Sequence, residues 1–246
     1  MTAIKNIERA VLIILLLSVL ATSNARGDDN ASRSIIGFST DGRYFAFEQY
    51  GIWDGMDGAY AEILIIDSRD SSSVPGTPIS KSDIDETFTL AKARKVVRDQ
   101  ARRLLTKLRI SEPGDHLATN PLAELSADPF KVVVNATHRI SPRSEQPVSF
   151  TLAEKPLASP QCSKVFKLPM KGFTLTMARE GAPPITLHDD TALPASRGCA
   201  LGYAIADVMA YEAADGQTTY AVLLHVSDIS FDGTGSSFLA VTRRLP

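Results

Sequence analysis

Apolar residues recur at helical spacing in one stretch of this chain; almost everywhere else they alternate. The stretch carries Leu90, Val97, Ala101, Leu104, Leu105 and Leu108, a single stripe at a period of 3.6. Ser82 suits an N-cap, and Asp83, Asp85 and Glu86 suit the first turn, where acidic groups complement the helix dipole. Pro113-Gly114 lies just beyond the end and stops the run. The pattern predicts one long amphipathic helix at about 83–109. A lone helix among strand patterns excludes the βαβ alternation of a doubly wound parallel sheet. Its stripe needs a sheet to pack on.

Nine segments alternate with period 2 or are rich in strand formers. Ile35 to Phe38 and Arg43 to Gln49 flank Ser39-Thr40-Asp41-Gly42 and read as a hairpin. Tyr60 to Asp67 follows an Asp/Gly-rich loop, and residues 68–81 read as loop on turn chemistry. After the helix, and a further loop of about 20 residues, come Phe130 to Asn135, Val148 to Leu152, Phe173 to Met177, Leu201 to Tyr211, Thr219 to Val226 and Ser237 to Val241. Asp215-Gly216 marks a second hairpin. The expected class is α+β, mostly antiparallel β in about nine strands, with one helix.

The amino terminus sets the compartment. Lys5 and Arg9 precede Ala10 to Ala21 (AVLIILLLSVLA), and Ser23-Asn24-Ala25 presents small residues to a peptidase. That order is a secretory signal peptide. Twelve helical residues reach about 18 Å, short of a ~30 Å hydrocarbon core. Residues 1–25 are expected to be removed, leaving 26–246 as a single exported domain, periplasmic or extracellular, with no transmembrane span.

The helix is also the strongest charge asymmetry. Between residues 91 and 109, Lys92, Arg94, Lys95, Arg98, Arg102, Arg103, Lys107 and Arg109 face one acid, Asp99, in a chain of net charge −2. Lys95, Arg98 and Arg102 are the candidate binding face, for an anionic glycan or an acidic envelope protein. The alternative is a helix whose charges are solvated while its leucines pack. Near-neutral charge overall, and no aromatic between residues 89 and 110, argue against nucleic acid.

Ile36 to Phe47 (IGFSTDGRYFAF) followed by Tyr60 to Asp67 (YAEILIID) resembles one WD40-like repeat of the TolB-type propeller. One clear repeat and a loose echo at Phe231 to Val241 fall short of a propeller, so the resemblance implies a local hairpin. The chain as a whole resembles a family of uncharacterised bacterial predicted secreted proteins. The segments that carry it are the leader, residues 37–67, VPGTPI at 74–79 and the basic helix. That resemblance implies export and assigns no activity.

Cys162 and Cys199 are an even pair in an oxidising compartment, and a disulfide is expected. Asp54, Asp57 and Glu62, with Asp41, form an acidic Gly-rich segment that could present oxygen ligands to Ca²⁺, but without EF-hand spacing turn chemistry is the default. His116, His138, His188 and His225 fall in no zinc motif, though His188-Asp189-Asp190 is a conceivable donor set. No nucleophile elbow and no phosphate loop is present. No catalytic residue, metal or cofactor is therefore expected. The function expected is an exported, non-catalytic binding or scaffolding module; the alternative is a hydrolase of envelope glycan or peptide whose site carries no motif.

Overall fold

The computed structural model describes residues 29–53, 58–85, 87–135, 147–159, 162, 166–230 and 233–245. In chain order the first strands are β1 (Asp29–Asn30), β2 (Ser32–Ser39), β3 (Tyr44–Trp53), β4 (Gly58–Asp67), β5 (Ser72–Ser73) and β6 (Ile79–Asp83). The helix α1 (Leu90–Lys107) follows, then β7 (Ile110–Glu112), β8 (Asp115–Thr119), β9 (Lys131–Asn135) and β10 (Pro147–Leu157). The last strands are β11 (Met170–Arg179), β12 (Ile185–Asp189), β13 (Ala200–Glu212), β14 (Thr218–Ser230) and β15 (Gly233–Leu245).

These strands form three sheets, antiparallel except for β1, which runs parallel to β15. The central sheet has the order β1-β15-β14-β13-β8. The outer sheet is β12-β11-β10-β9. The hairpin sheet is β5-β4-β3-β2-β7, with β6 also paired to β4.

Three apolar clusters glue four layers in sequence. Phe150, Phe173, Leu175 and Met177 of the outer sheet meet Ile205, Val222, Leu224 and Val241 of the central sheet. On the other face of that central sheet, Met209, Leu223, Phe238 and Ala240 meet Phe38, Phe45, Phe47 and Ile66 of the hairpin sheet. The far face of the hairpin sheet (Ala46, Ala61, Ile63, Ile65) meets Ala93, Val97 and Ala101 of α1. The central sheet is covered on both faces, so residues 203–210 and 219–226 are buried without a break. That is why its strands read as continuous apolar runs.

All nine expected strands are present, and shorter ones join them. Residues 68–81 hold β5 and the start of β6, and the loop after the helix holds β7 and β8. The helix begins later than its pattern predicts. Its N-cap is Thr89, whose Oγ1 accepts from the Lys92 N–H, and not Ser82. Ser82 and Asp83 lie in β6, paired with Tyr60 and Ala59 of β4. The acidic run 83–86 imitates a helix start, but an open strand edge takes the segment first. Arg109 lies past the helix end with a positive φ of 52°. The hairpin at 39–42 is built as the turn chemistry requires. Asp41 Oδ1 accepts from Ser39 Oγ at 2.6 Å and from the Arg43 N–H, and Gly42 takes φ 68°. No propeller closes: the hairpin stacks in layers. Among the described residues no helix is long and apolar enough to cross a membrane. Residues 1–28, and with them the leader, lie outside the described residues.

Candidate functional site

Strand alternation assigns the side chains of β3 and β4 to two faces, both covered over most of their length. On the helix side stand Ala46, Glu48 and Tyr50, and from β4 Ala59, Ala61, Ile63 and Ile65. Glu48 is the exception to that apolar face, with its side chain only 1% exposed. Arg94 and Arg98 both reach it: Arg94 Nη2 donates to Oε2 at 2.8 Å and Arg98 Nη2 at 2.6 Å. The Arg94 guanidinium also lies 3.6 Å above the Tyr50 ring. The basic helix is thus clamped to its sheet by a buried carboxylate.

The candidate binding face of the helix is ion-paired within the chain. Lys95, Arg98 and Arg102 are all exposed, as their positions opposite the leucine stripe require. Each already has a carboxylate: Asp99 accepts from Lys95 at 2.5 Å and from Arg102 at 2.7 Å, and Arg98 belongs to Glu48. Val97 and Ala101 are buried, while Leu104 and Leu108 are half-buried against the same cluster.

The opposite face of the hairpin sheet is apolar for half its length and then changes. Phe45 and Phe47 are followed on the same side of β3 by Gln49 and Trp53; Ile66 and Leu64 are followed on β4 by Glu62 and Tyr60. The facing row of β15 changes likewise, from Phe238 and Ala240 to Ser236, with Gly235 and Ser237 beside it at the cleft. Where the apolar contact ends a cleft opens, made of two adjoining cavities that share Glu62, Asp228 and Ser237: Trp53, Tyr60, Ser80 and Ser82 line the near one, and His188, Arg197 and the 194–198 loop line the far one.

The Trp53 and Tyr60 rings lie 4.7 Å apart, tilted. Tyr60 rests over Gly51 across the ladder, where an added Cβ would approach its ring to 2.7 Å. Gln49 is buried and its orientation is fixed: Oε1 accepts from the Phe238 N–H at 2.7 Å, so Nε2 donates to Glu62 Oε1 at 2.5 Å. Burial pushes the Glu62 pKa above the ordinary Glu value, and the Gln49 hydrogen bond opposes this in part. With Oε1 held by Gln49, Oε2 is the atom that can carry a proton or meet a ligand. Lys81 lines the same region from β6, but it is paired with Ala61 on the helix side and its ammonium lies 5.3 Å from the Phe88 ring.

Two histidine clusters flank the central sheet. Asp207, buried at a β-bulge in β13, accepts from Arg33, from His116 Nε2 at 3.0 Å and from Thr119 Oγ1 at 3.1 Å. Thr119 Oγ1 also meets His116 Nε2, at 2.8 Å. A nucleophile–base–carboxylate relay uses both ring nitrogens. Here hydroxyl and carboxylate share one nitrogen, so the cluster ties strands together. Of the donor set His188-Asp189-Asp190, His188 and Asp190 come together, with His188 Nε2 2.7 Å from Asp190 Oδ1. Arg197 donates to Asp190 as well, and so does the Phe173 N–H at 2.9 Å. Burial would raise the Asp190 pKa, but the bonds from Arg197, His188 and Phe173 together hold it below the ordinary Asp value. The guanidinium stands where a metal would bind. Asp189 is instead turned to Lys155 and Thr174. Asp54, Asp57 and His138 lie outside the described residues; Asp41 serves the hairpin turn and Glu62 the cleft.

The two cysteines are joined, Cys162 to Cys199, with Sγ–Sγ at 2.02 Å and Cα–Cα at 5.6 Å. Cys199 follows the 194–198 loop, so the bond anchors the loop that closes the cleft's far end.

Residues 46–244 match the family described as predicted secreted protein (DUF2259). The chain belongs to that family. Membership agrees with the leader sequence and the disulfide, and the protein is exported. Neither a curated protein nor a solved structure matches it.

Sequence reasoning reached Glu62 only as one of an acidic group, and it missed Trp53, Tyr60 and Gln49. A signal was present: Gln49 and Glu62 share strand parity with Phe47 and Leu64, which places polar groups on a core-facing row.

Proposed function

We propose that this protein is a non-catalytic binding module of an exported compartment, released by removal of residues 1–25, and that its ligand occupies the cleft between the hairpin sheet and β15. The observation that carries this reading is the change of character along one interface. The same interface that clusters Phe47 with Phe238 presents aromatic rings, hydroxyls and a half-buried carboxylate further along. Small-molecule sites are concave, largely preformed and lined by aromatics with a few oriented polar groups. The basic helix remains the other candidate face: Lys95, Arg98 and Arg102 are exposed, although each also meets Asp99 or Glu48. A second reading, a hydrolase of envelope glycan, draws on Glu62 and Asp228 lining one cleft, with burial favouring the acid form of Glu62.

Native mass spectrometry of the protein recovered from its exported fraction tests the proposal. The expected spectrum shows a chain starting at Arg26 with a small molecule retained. That molecule is lost in a Trp53→Ala, Glu62→Ala double variant that still melts cooperatively. A bare chain from the native source, or equal retention by the variant, overturns it. Turnover of a cell-wall digest that disappears in both Glu62→Gln and Asp228→Asn would replace it with the hydrolase.

A further inference from the structure

We propose that the cleft binds a small organic cation, an amine held between the Trp53–Tyr60 ring pair and the Glu62 carboxylate. The inference rests on the cleft being a ligand site and adds the class of ligand. Three observations carry it.

The first is the pairing of charges around the cleft. Among the described residues no ion pair reaches Glu62; its neighbour is the uncharged Gln49. The cations close by are engaged elsewhere. Lys81 leans to the helix side, within 3.6 Å of Asp83 and over Phe88. Arg197 serves Asp190, and Arg33 serves Asp207 while lying 4.8 Å from the Phe238 ring. The carboxylate is partly withdrawn from water with no countercharge among the described residues, and the burial that raises its pKa is what an arriving cation would offset.

The second is the ring pair. Trp53 and Tyr60 are half-buried, so they keep open surface beside the carboxylate. Aromatic faces attract cations through the ring quadrupole, most strongly where water is excluded. The third is support. Tyr60 is seated on Gly51, and Glu62 is oriented by Gln49, which the Phe238 backbone orients in turn. A recognition group held by such a chain of bonds is preorganised. An anionic ligand would meet Glu62 with like charge, which disfavours it.

Trp53 is the only tryptophan, so its emission reports on this cleft alone. The mature, oxidised protein is titrated at physiological salt with 1,4-diaminobutane, with choline and with the neutral disaccharide chitobiose, and each titration is repeated by calorimetry. The expected result is a saturable change with an amine, weakened at least about tenfold by Glu62→Gln and also by Tyr60→Ala, with both variants melting as the parent does. A response to chitobiose and to neither amine overturns the amine while leaving the ligand site standing. Amine binding that Glu62→Gln leaves unchanged also overturns it. Should Tyr60→Ala fail to fold, Glu62→Gln decides alone, since an amide fits the same space. A native protein that retains no small molecule and responds to none of the three brings down both proposals.

Discussion

Two glutamates on adjacent strands show how environment divides one residue type into two roles. Glu48 is buried with two arginines; Glu62 is half-buried and, among the described residues, meets none. Removing Glu48 would strand Arg94 and Arg98 over an apolar face, although both can partly turn to water. Glu48→Ala is therefore expected to destabilise by about 2–3 kcal/mol, less than for a wholly enclosed pair. Arg98→Ala is expected to cost under about 1 kcal/mol, because that side chain is 54% exposed. Urea midpoints at unchanged m-value measure both. Glu62 carries the opposite sign. Its pKa is raised in the folded chain, so the folded state holds the proton more tightly than the unfolded state. Below the unfolded value, near 4.5, both states are protonated and burial carries no charge penalty. As pH rises from there through the folded value, stability falls. Glu62→Gln should match the parent at the acid end and exceed it at neutral pH; a variant weaker than the parent at pH 7 would contradict the assignment. Stability gained where a ligand group is lost is the usual mark of a functional residue.

At the scale of elements, the helix was legible in its stripe and misread at its start. Val97 and Ala101 repeat at the expected spacing and are buried, because a 3.6 period admits no other packing on a flat sheet. The start was ambiguous because residues 79–83 (ISKSD) carry two signals at once, serine and acid for a cap and alternation for a strand. The unpaired edge of β4, invisible in local sequence, decides between them. Phe88 then sits one residue before the Thr89 cap and shares a cluster with Ala93, the arrangement of a hydrophobic staple. Glu48 was equally opaque. Alternation in YFAFEQY marks it as facing away from the phenylalanines, which suggests water; only the helix laid over that face makes it buried. Val97→Asp tests the packing directly. It places a charge at a site with no exposure, where the nearest cations, Arg94 and Arg98, are already held by Glu48, and should destabilise by about 3–5 kcal/mol. Thermal melts and far-ultraviolet dichroism would read it, and a folded variant with near-parental melting would mean that the helix does not need this contact.

Across the whole molecule, strand existence was written in period 2, while layer order was not. β13 and β14 signal burial on both faces by their unbroken apolar runs, yet nothing local says which sheet covers which face. The disulfide belongs to this scale, because it joins segments of different layers. Cys162 lies between β10 and β11 of the outer sheet, and Cys199 directly precedes β13 of the central sheet. The bond closes a loop across 37 positions. On the chain-entropy model that constrains the unfolded chain by about 4 kcal/mol, an upper figure. Its mechanical effect is local as well, since the 194–198 loop at the cleft's far end hangs between Asp189 and Cys199. Reduction should therefore lower the melting temperature and loosen that loop. The Cys162→Ala, Cys199→Ala variant should show faster amide exchange and protease cutting near Pro194 to Gly198 than at the 39–42 hairpin. Thiol labelling of the native exported protein should find no free cysteine. Equal exchange at both places would confine the bond's effect to the unfolded state, and a labelled thiol would mean that the pair does not form in the compartment where the protein works.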